Sequence, residues 1–147
     1  MYLLDTNVIS RAAPARRQDA QDERLAEWIV VNTDSLFLSV ITAAEICDGI
    51  AKARRTGATR KAAMLSEWWG EIVHYWAGRI LTLDIEVATE AGRLVDRARG
   101  AGIDPGFEDV AIAATGAVHS LTVVTFNDRD FRPLGVSVAT PRELLSS

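Results

Sequence analysis

A chain of 147 residues, 48% of them hydrophobic, has room for one domain, 1–147, with a substantial core. A net charge of −4 excludes a broadly basic nucleic-acid coat, so any polyanion must be held by local patches or through metal ions. No apolar run approaches a membrane span, and Cys47, the single cysteine, excludes an internal disulfide. Met1-Tyr2-Leu3-Leu4 meets Asp5 without a basic start or a signal-peptide core, so a reducing, cytoplasmic setting is the expectation.

In chain order, Tyr2–Leu4 reads as a first strand, and a helix begins near Asn7. Arg11 to Asp22 is polar and loop-like, with mobility expected at Ala13-Pro14-Ala15. Gln21–Val31 places Leu25, Trp28 and Ile29 on one helical face. A second strand is expected at Leu36–Val40 and a helix at Ala43–Arg55. A third long helix, Thr59–Trp76, carries Met64, Leu65, Trp68, Ile72 and Trp76. Ile80–Leu83 reads as a strand, Ile85–Arg99 and Pro105–Val118 as helices, and Leu121–Thr125 and Val136–Val138 as the last strands. Most of the strands are continuous rather than alternating, as strands covered on both faces should be. Strands alternating with helices predict an α/β fold with a mostly parallel sheet and helices on both faces.

In such sheets ligands gather at the strand ends, and acids recur there. Asp5 closes the first strand; taken singly, it reads equally well as a helix cap. Glu45 completes a capping-box pattern, Thr42-Ala43-Ala44-Glu45, and also points toward the strand-end edge. Asp104 suggests a cap and Pro105 a first helical residue, which puts Glu108 and Asp109 in a first turn where acids suit the helix dipole. The apolar run Ala111–Ala114 buries that helix, so Asp109 has limited access to water. Asn127, Asp128 and Asp130 follow the fourth strand, where Asp130 could simply pair with Arg129 or Arg132. Oxygen ligands without a His or Cys cluster select a hard cation such as Mg²⁺ or Mn²⁺, and the chemistry that fits is metal-assisted phosphodiester hydrolysis. His74 and His119 stand alone and read as packing or surface residues.

These segments resemble the PIN-domain ribonucleases of the VapC/FitB toxin type. The resemblance rests on Leu3-Leu4-Asp5-Thr6-Asn7, Thr42-Ala43-Ala44-Glu45-Ile46, Asp109-Val110-Ala111-Ile112-Ala113, and Leu121–Thr125 through Asn127 and Asp130. It implies a three-layer α/β/α PIN-like fold with a mostly parallel sheet of about five short strands. It also implies a Mg²⁺-dependent endoribonuclease site that accepts Mn²⁺. Asp5, Glu45 and Asp109 match the core acids, with Asp5 and Asp109 as principal metal ligands. Thr6 and Asn7 would orient the first carboxylate, and Thr125 would support it. Asn127 stands where many such domains carry an acid, with Asp130 as the substitute charge; a one-metal site is the expectation. Similar toxins hydrolyse RNA, form homodimers and pair with a small antitoxin that covers the acidic pocket.

Adjacent Trp68 and Trp69 diverge by about 100° on a helix, which predicts one of them at an interface. Lys52, Arg54, Arg55, Arg60 and Lys61 form a basic run, read either as a solvated helix end or as a phosphate guide centred on Arg54 and Arg55. Three other readings compete. A phosphoacceptor domain would need a lysine at the end of a late strand, and neither Lys52 nor Lys61 sits there. The others are a catalytically silent PIN-like domain that binds RNA or a protein, and the same nuclease chemistry used on DNA or in RNA maturation.

Overall fold

The computed structural model describes residues 1–147. In chain order the elements are β1 (Tyr2–Leu4), α1 (Thr6–Ala12), a 3₁₀ turn (Pro14–Arg16), α2 (Ala20–Val31), β2 (Leu36–Ser39), α3 (Val40–Arg55) and α4 (Thr59–Tyr75). They continue with β3 (Ile80–Leu81), α5 (Ile85–Gly100), α6 (Phe107–Val118), β4 (Thr122–Val124), α7 (Asp128–Phe131), β5 (Val138–Ala139) and α8 (Pro141–Leu145). The strands pair in the order β3-β2-β1-β4-β5, and every pairing is parallel. The chain leaves β1 in one direction for β2 and β3, and returns to the other side of β1 for β4 and β5. β1 is therefore the switch point, and Asp5 lies at its carboxyl end.

The apolar strands serve two cores because successive side chains point to opposite faces of a sheet. Leu4 and Val124 join Val8, Ile9, Leu25, Ile46, Ile50, Leu65 and Trp69 in a core under α1–α4. Leu3 and Val123 face the other way, against Val87, Leu94, Val110, Ile112, Ala113 and Phe131 of α5, α6 and α7. The result is the expected three-layer α/β/α sandwich. In α6 the run Val110–Gly116 is buried all round, and Gly116 lets its backbone lie close to the sheet. A Cβ there would stand 2.9 Å from Val123 Cγ2 and 3.4 Å from the Leu121 carbonyl oxygen.

Several boundaries move from the expected ones. β2 ends at Ser39, whose hydroxyl accepts from the Ile41 N–H and caps α3, so Val40 and Ile41 are helical despite their β-branched side chains. Thr42-Ala43-Ala44-Glu45 is consequently not a capping box. Gly106, not Asp104, precedes the first residue of α6, which leaves Pro105 outside the helix. β3 and β5 are two residues each, the former stopping at Leu81 and the latter shifted to Val138–Ala139. α8 lies outside the elements expected from the sequence; Thr140 and Glu143 form a complete capping box there, with Pro141 as its first residue.

The segment expected to be mobile is pinned. Ala13 is fully buried, Pro14 opens the 3₁₀ turn, and buried Asp22 accepts from Arg11 Nε and from the Gln18 N–H, each at 2.8 Å. The tryptophans also find partners within the chain. Trp69 and Trp76 are core residues, while Trp28 and Trp68 are half-buried against the same core, so of the adjacent pair it is Trp68 that keeps some exposed surface. His74 and His119 are exposed.

Candidate active site

Asp5 is placed by backbone pairing. Its N–H continues the sheet by donating to the Val124 carbonyl at 2.9 Å, and the chain then turns into α1. The side chain is 5% exposed. Oδ1 accepts from the Thr6 N–H at 2.8 Å, and Oδ2 accepts from Thr125 Oγ1 at 2.7 Å. The cap role and the strand-end role thus coexist in one carboxylate. Burial raises its pKa above the ordinary value of 3.8; the two hydrogen bonds pull it down, and the charges of Glu45 and Asp130 push it further up.

Thr125 is fully buried and connects β4 to β1. Its hydroxyl donates to Asp5 and accepts from the Asn127 N–H at 2.9 Å. Asn7 Nδ2 donates to the same hydroxyl at 3.5 Å, the outer edge of a useful hydrogen bond, while Asn7 Oδ1 accepts from the Phe126 N–H at 3.3 Å. Asn7 therefore holds the loop after β4 and reaches Asp5 only through Thr125. Thr6 orients Asp5 with its backbone N–H, and its hydroxyl serves a different acid: Oγ1 donates to Glu45 Oε1 at 2.8 Å and lies 2.9 Å from Thr42 Oγ1.

Glu45, in the second turn of α3, is solvent-facing. Its carboxyl pKa is raised by partial burial first and by Glu108 and Asp109 next, against the lowering effect of the Thr6 hydroxyl. Asp109 stands in the first turn of α6, immediately before the buried run. Burial, then the charges of Asp5, Asp130 and Glu108, push it up from 3.8 to about 6. Asp130, on the exposed face of α7, acts on both Asp5 and Asp109. Arg132 pairs with Asp128 and Glu143 instead, so the expected pairing of Asp130 with Arg129 or Arg132 does not form. Asn127 is exposed, and its backbone rather than its side chain is engaged.

Four elements thus bring Asp5, Glu45, Asp109 and Asp130 within electrostatic reach of one another. Glu108 is a fifth acid that sequence reasoning left at a helix start; its charge reaches both Glu45 and Asp109. Thr42 is the other addition, three residues before Glu45 and so on the same helical face. Arg54 and Arg55 lie nine and ten residues beyond Glu45, about 14–15 Å further along the α3 axis. A cleft of about 630 Å³ lies between α2, α8 and the Phe126 loop, and its lining includes none of Asp5, Glu45, Asp109 and Asp130.

No Lys, Arg or His forms an ion pair with any of the four acids. Clustered carboxylates without a basic neighbour, all oxygen donors, fit a hard divalent cation. No three of the chain's His, Cys, Asp and Glu side chains converge into a ready-made cage. Mg²⁺ dehydrates reluctantly and in general needs only one or two carboxylates beside its waters.

Residues 2–136 match the PIN domain family. The chain is 33% identical over 144 residues to the VapC ribonuclease Y4jK of Sinorhizobium fredii, covering 97% of this chain and 99% of that protein. It is 35% identical over 142 residues to the toxin FitB of Neisseria gonorrhoeae, covering 96% and 98% respectively. Among solved structures, FitAcB from Neisseria gonorrhoeae superposes with a TM-score of 0.84 at 36% identity, over 97% of this chain and 99% of that one. The parallel sheet with Asp5 at its switch point and these matches along nearly the whole length agree: the chain belongs to the PIN-domain family.

Proposed function

We propose that this protein is a Mg²⁺-dependent endoribonuclease and the toxin of a toxin–antitoxin pair. The observation that carries the reading is that Asp5, Glu45, Asp109 and Asp130 lie within electrostatic reach of one another near the switch point of the sheet, with no basic partner. The names of its relatives, a VapC ribonuclease and the toxin FitB, support the same reading. RNA is the substrate class, a small antitoxin is the partner that covers the acids, and the active form is a cytoplasmic homodimer.

Asp5 and Asp109 would hold the Mg²⁺, and Mn²⁺ would substitute for it. When bound, the ion offsets the carboxylate charge and supplies Lewis acidity to the phosphodiester and to the attacking water. The chain's own residues set the geometry. Thr125 and the Thr6 N–H fix both oxygens of Asp5, so that carboxylate does not have to be ordered when the cation arrives. The Thr6 hydroxyl fixes Glu45, coupling α1 to α3 across the site. From this position, exposed and held by the Thr6 hydroxyl, Glu45 is placed to accept a proton from a water entering on the solvent side. Asp130 adds negative charge where Asn127 supplies only a neutral oxygen, which favours one ion over two.

The test is cleavage of a total-RNA and tRNA panel by purified, partner-free protein with Mg²⁺, with Mn²⁺ and with EDTA. Discrete fragments that require the metal are expected from the wild type and none from Asp109→Asn. Fragments that persist in EDTA, or undiminished from Asp109→Asn, would overturn the proposal.

A further inference from the structure

A groove of about 520 Å³ opens beside Asn7, the residue that holds the loop after β4, and its wall contains four cations and no acid. The cations are Arg11, Arg16, Arg17 and Lys61, a concentration of positive charge in a protein whose net charge is −4. They come from three places in the chain: the end of α1, the 3₁₀ turn with the residue after it, and the first turn of α4.

Two of the four are spoken for. Arg11 pairs with buried Asp22 at 2.8 Å, and its guanidinium lies 5.1 Å from the centre of the Phe126 ring. Arg17 donates to the Ala12 carbonyl at 2.7 Å and pairs with Glu23 at 3.2 Å. These bonds brace the segment that carries Arg16. Arg16 and Lys61 themselves have no carboxylate partner, and both are exposed. Arg16 reaches toward α3: its Nη2 lies 3.7 Å from where a Cβ on Gly49 would stand. Gly49 is four residues after Glu45, so the free guanidinium sits one helical turn from that acid, along the same face of α3.

We propose that Arg16 and Lys61 form a phosphate-binding subsite for single-stranded RNA, gripping the backbone beside the linkage held at the acids. The inference rests on the nuclease reading for its substrate class. An acidic catalytic surface repels a polyanion, so RNA needs a grip nearby that the metal does not supply. Two free cations provide it, one of them on a braced loop a single turn from Glu45. Arginine's planar fork matches phosphate oxygens, and the ammonium of Lys61 adds a point charge on the facing wall.

The test measures binding rather than cleavage, in the full-length Asp109→Asn background, using fluorescence anisotropy of a labelled short single-stranded RNA pool over a range of salt. Arg16→Ala combined with Lys61→Ala is expected to weaken binding about tenfold and to flatten the plot of log affinity against log salt by roughly 0.7 for each phosphate no longer neutralised. Arg16→Lys combined with Lys61→Arg keeps the charge and should restore most of the affinity. Both side chains are exposed, so the melting temperature should not change, and circular dichroism checks this. Arg54→Ala combined with Arg55→Ala provides the scale: the groove pair should lose more. An unchanged salt slope, or a loss no greater than that of the Arg54–Arg55 pair, overturns the subsite. The two readings fail separately. A wild type that cuts RNA with an indifferent groove refutes the subsite alone. A wild type that cuts nothing, with a groove pair that still changes the slope, refutes the nuclease alone.

Discussion

Asp109→Asn should make the metal-free protein more stable at neutral pH while destroying its proposed activity. The Asp109 carboxyl is pushed from 3.8 to about 6 by burial and by Asp5, Asp130 and Glu108, so the fold holds its proton more tightly than the unfolded chain does. Stability associated with that proton is complete below the unfolded value of 3.8 and is lost as pH rises through about 6. A shift of this size corresponds to about 3 kcal/mol at 1.36 kcal/mol per pH unit. Asp109 is half-open to solvent, and screening reduces the figure to about 1–1.5 kcal/mol. Asparagine also forfeits up to about 0.5 kcal/mol of favourable interaction between the charge and the N-terminus of α6. The net gain is about 1 kcal/mol, or about 2–4 °C in melting temperature for a domain of this size. Thermal unfolding by circular dichroism in EDTA, at about pH 8 and again at about pH 4, reads it directly. The variant should melt higher at the alkaline pH and equal the wild type at the acid one. A lower melting temperature near pH 8, or a difference independent of pH, would refute the electrostatic reading of the cluster.

Thr125→Val removes the hydroxyl that donates to Asp5 Oδ2; it should cost about 1–3 kcal/mol in denaturant unfolding and weaken metal binding, because a buried acceptor loses its partner. Thr6→Val should leave that bond intact yet free Glu45, lowering the cleavage rate with little change in Mg²⁺ affinity, whereas Thr6→Ser should behave like the wild type. Gly116→Ala drives a methyl into Val123 and should destabilise the protein by about 1–2 kcal/mol, even after the gain in helix propensity; a neutral or stabilising result by thermal melting would mean that α6 shifts easily off the sheet. Mn²⁺ affinity should fall about tenfold per pH unit below about 6, as Asp109 takes up a proton in competition with the ion.

The parts of the fold that depend on short-range pattern were legible in the sequence. Leu3 and Leu4 followed by an acid signal a buried strand with Asp5 at its end, and the apolar run after Asp109 signals a buried helix with a carboxylate in its first turn. Where competing local patterns overlapped, the reading slipped. Val40 reads as the last strand residue, which hides Ser39 as the cap of α3 and makes Glu45 look like a capping residue; in the structure Glu45 is tethered to Thr6, 39 positions away. Thr140-Pro141-Arg142-Glu143 carries a helix-start signal for α8 in a segment too short to show helical periodicity. Other features lay beyond any local pattern. Arg11 and Asp22 looked like loop residues because their bond forms only when α1 and α2 pack. The grouping of Arg16 with Lys61 requires α4 to fold back beside the 3₁₀ turn, and the reach of Glu108 to Glu45 requires α3 and α6 to meet.

We propose that Asp5 and Asp109 together hold a divalent cation. Calorimetric titration of the partner-free protein with Mn²⁺ near neutral pH tests it most directly, beside Asp5→Asn and Asp109→Asn. One saturable site in the wild type, lost in both variants while their folds persist, is the expected result. The same isotherm in all three proteins would contradict the assignment.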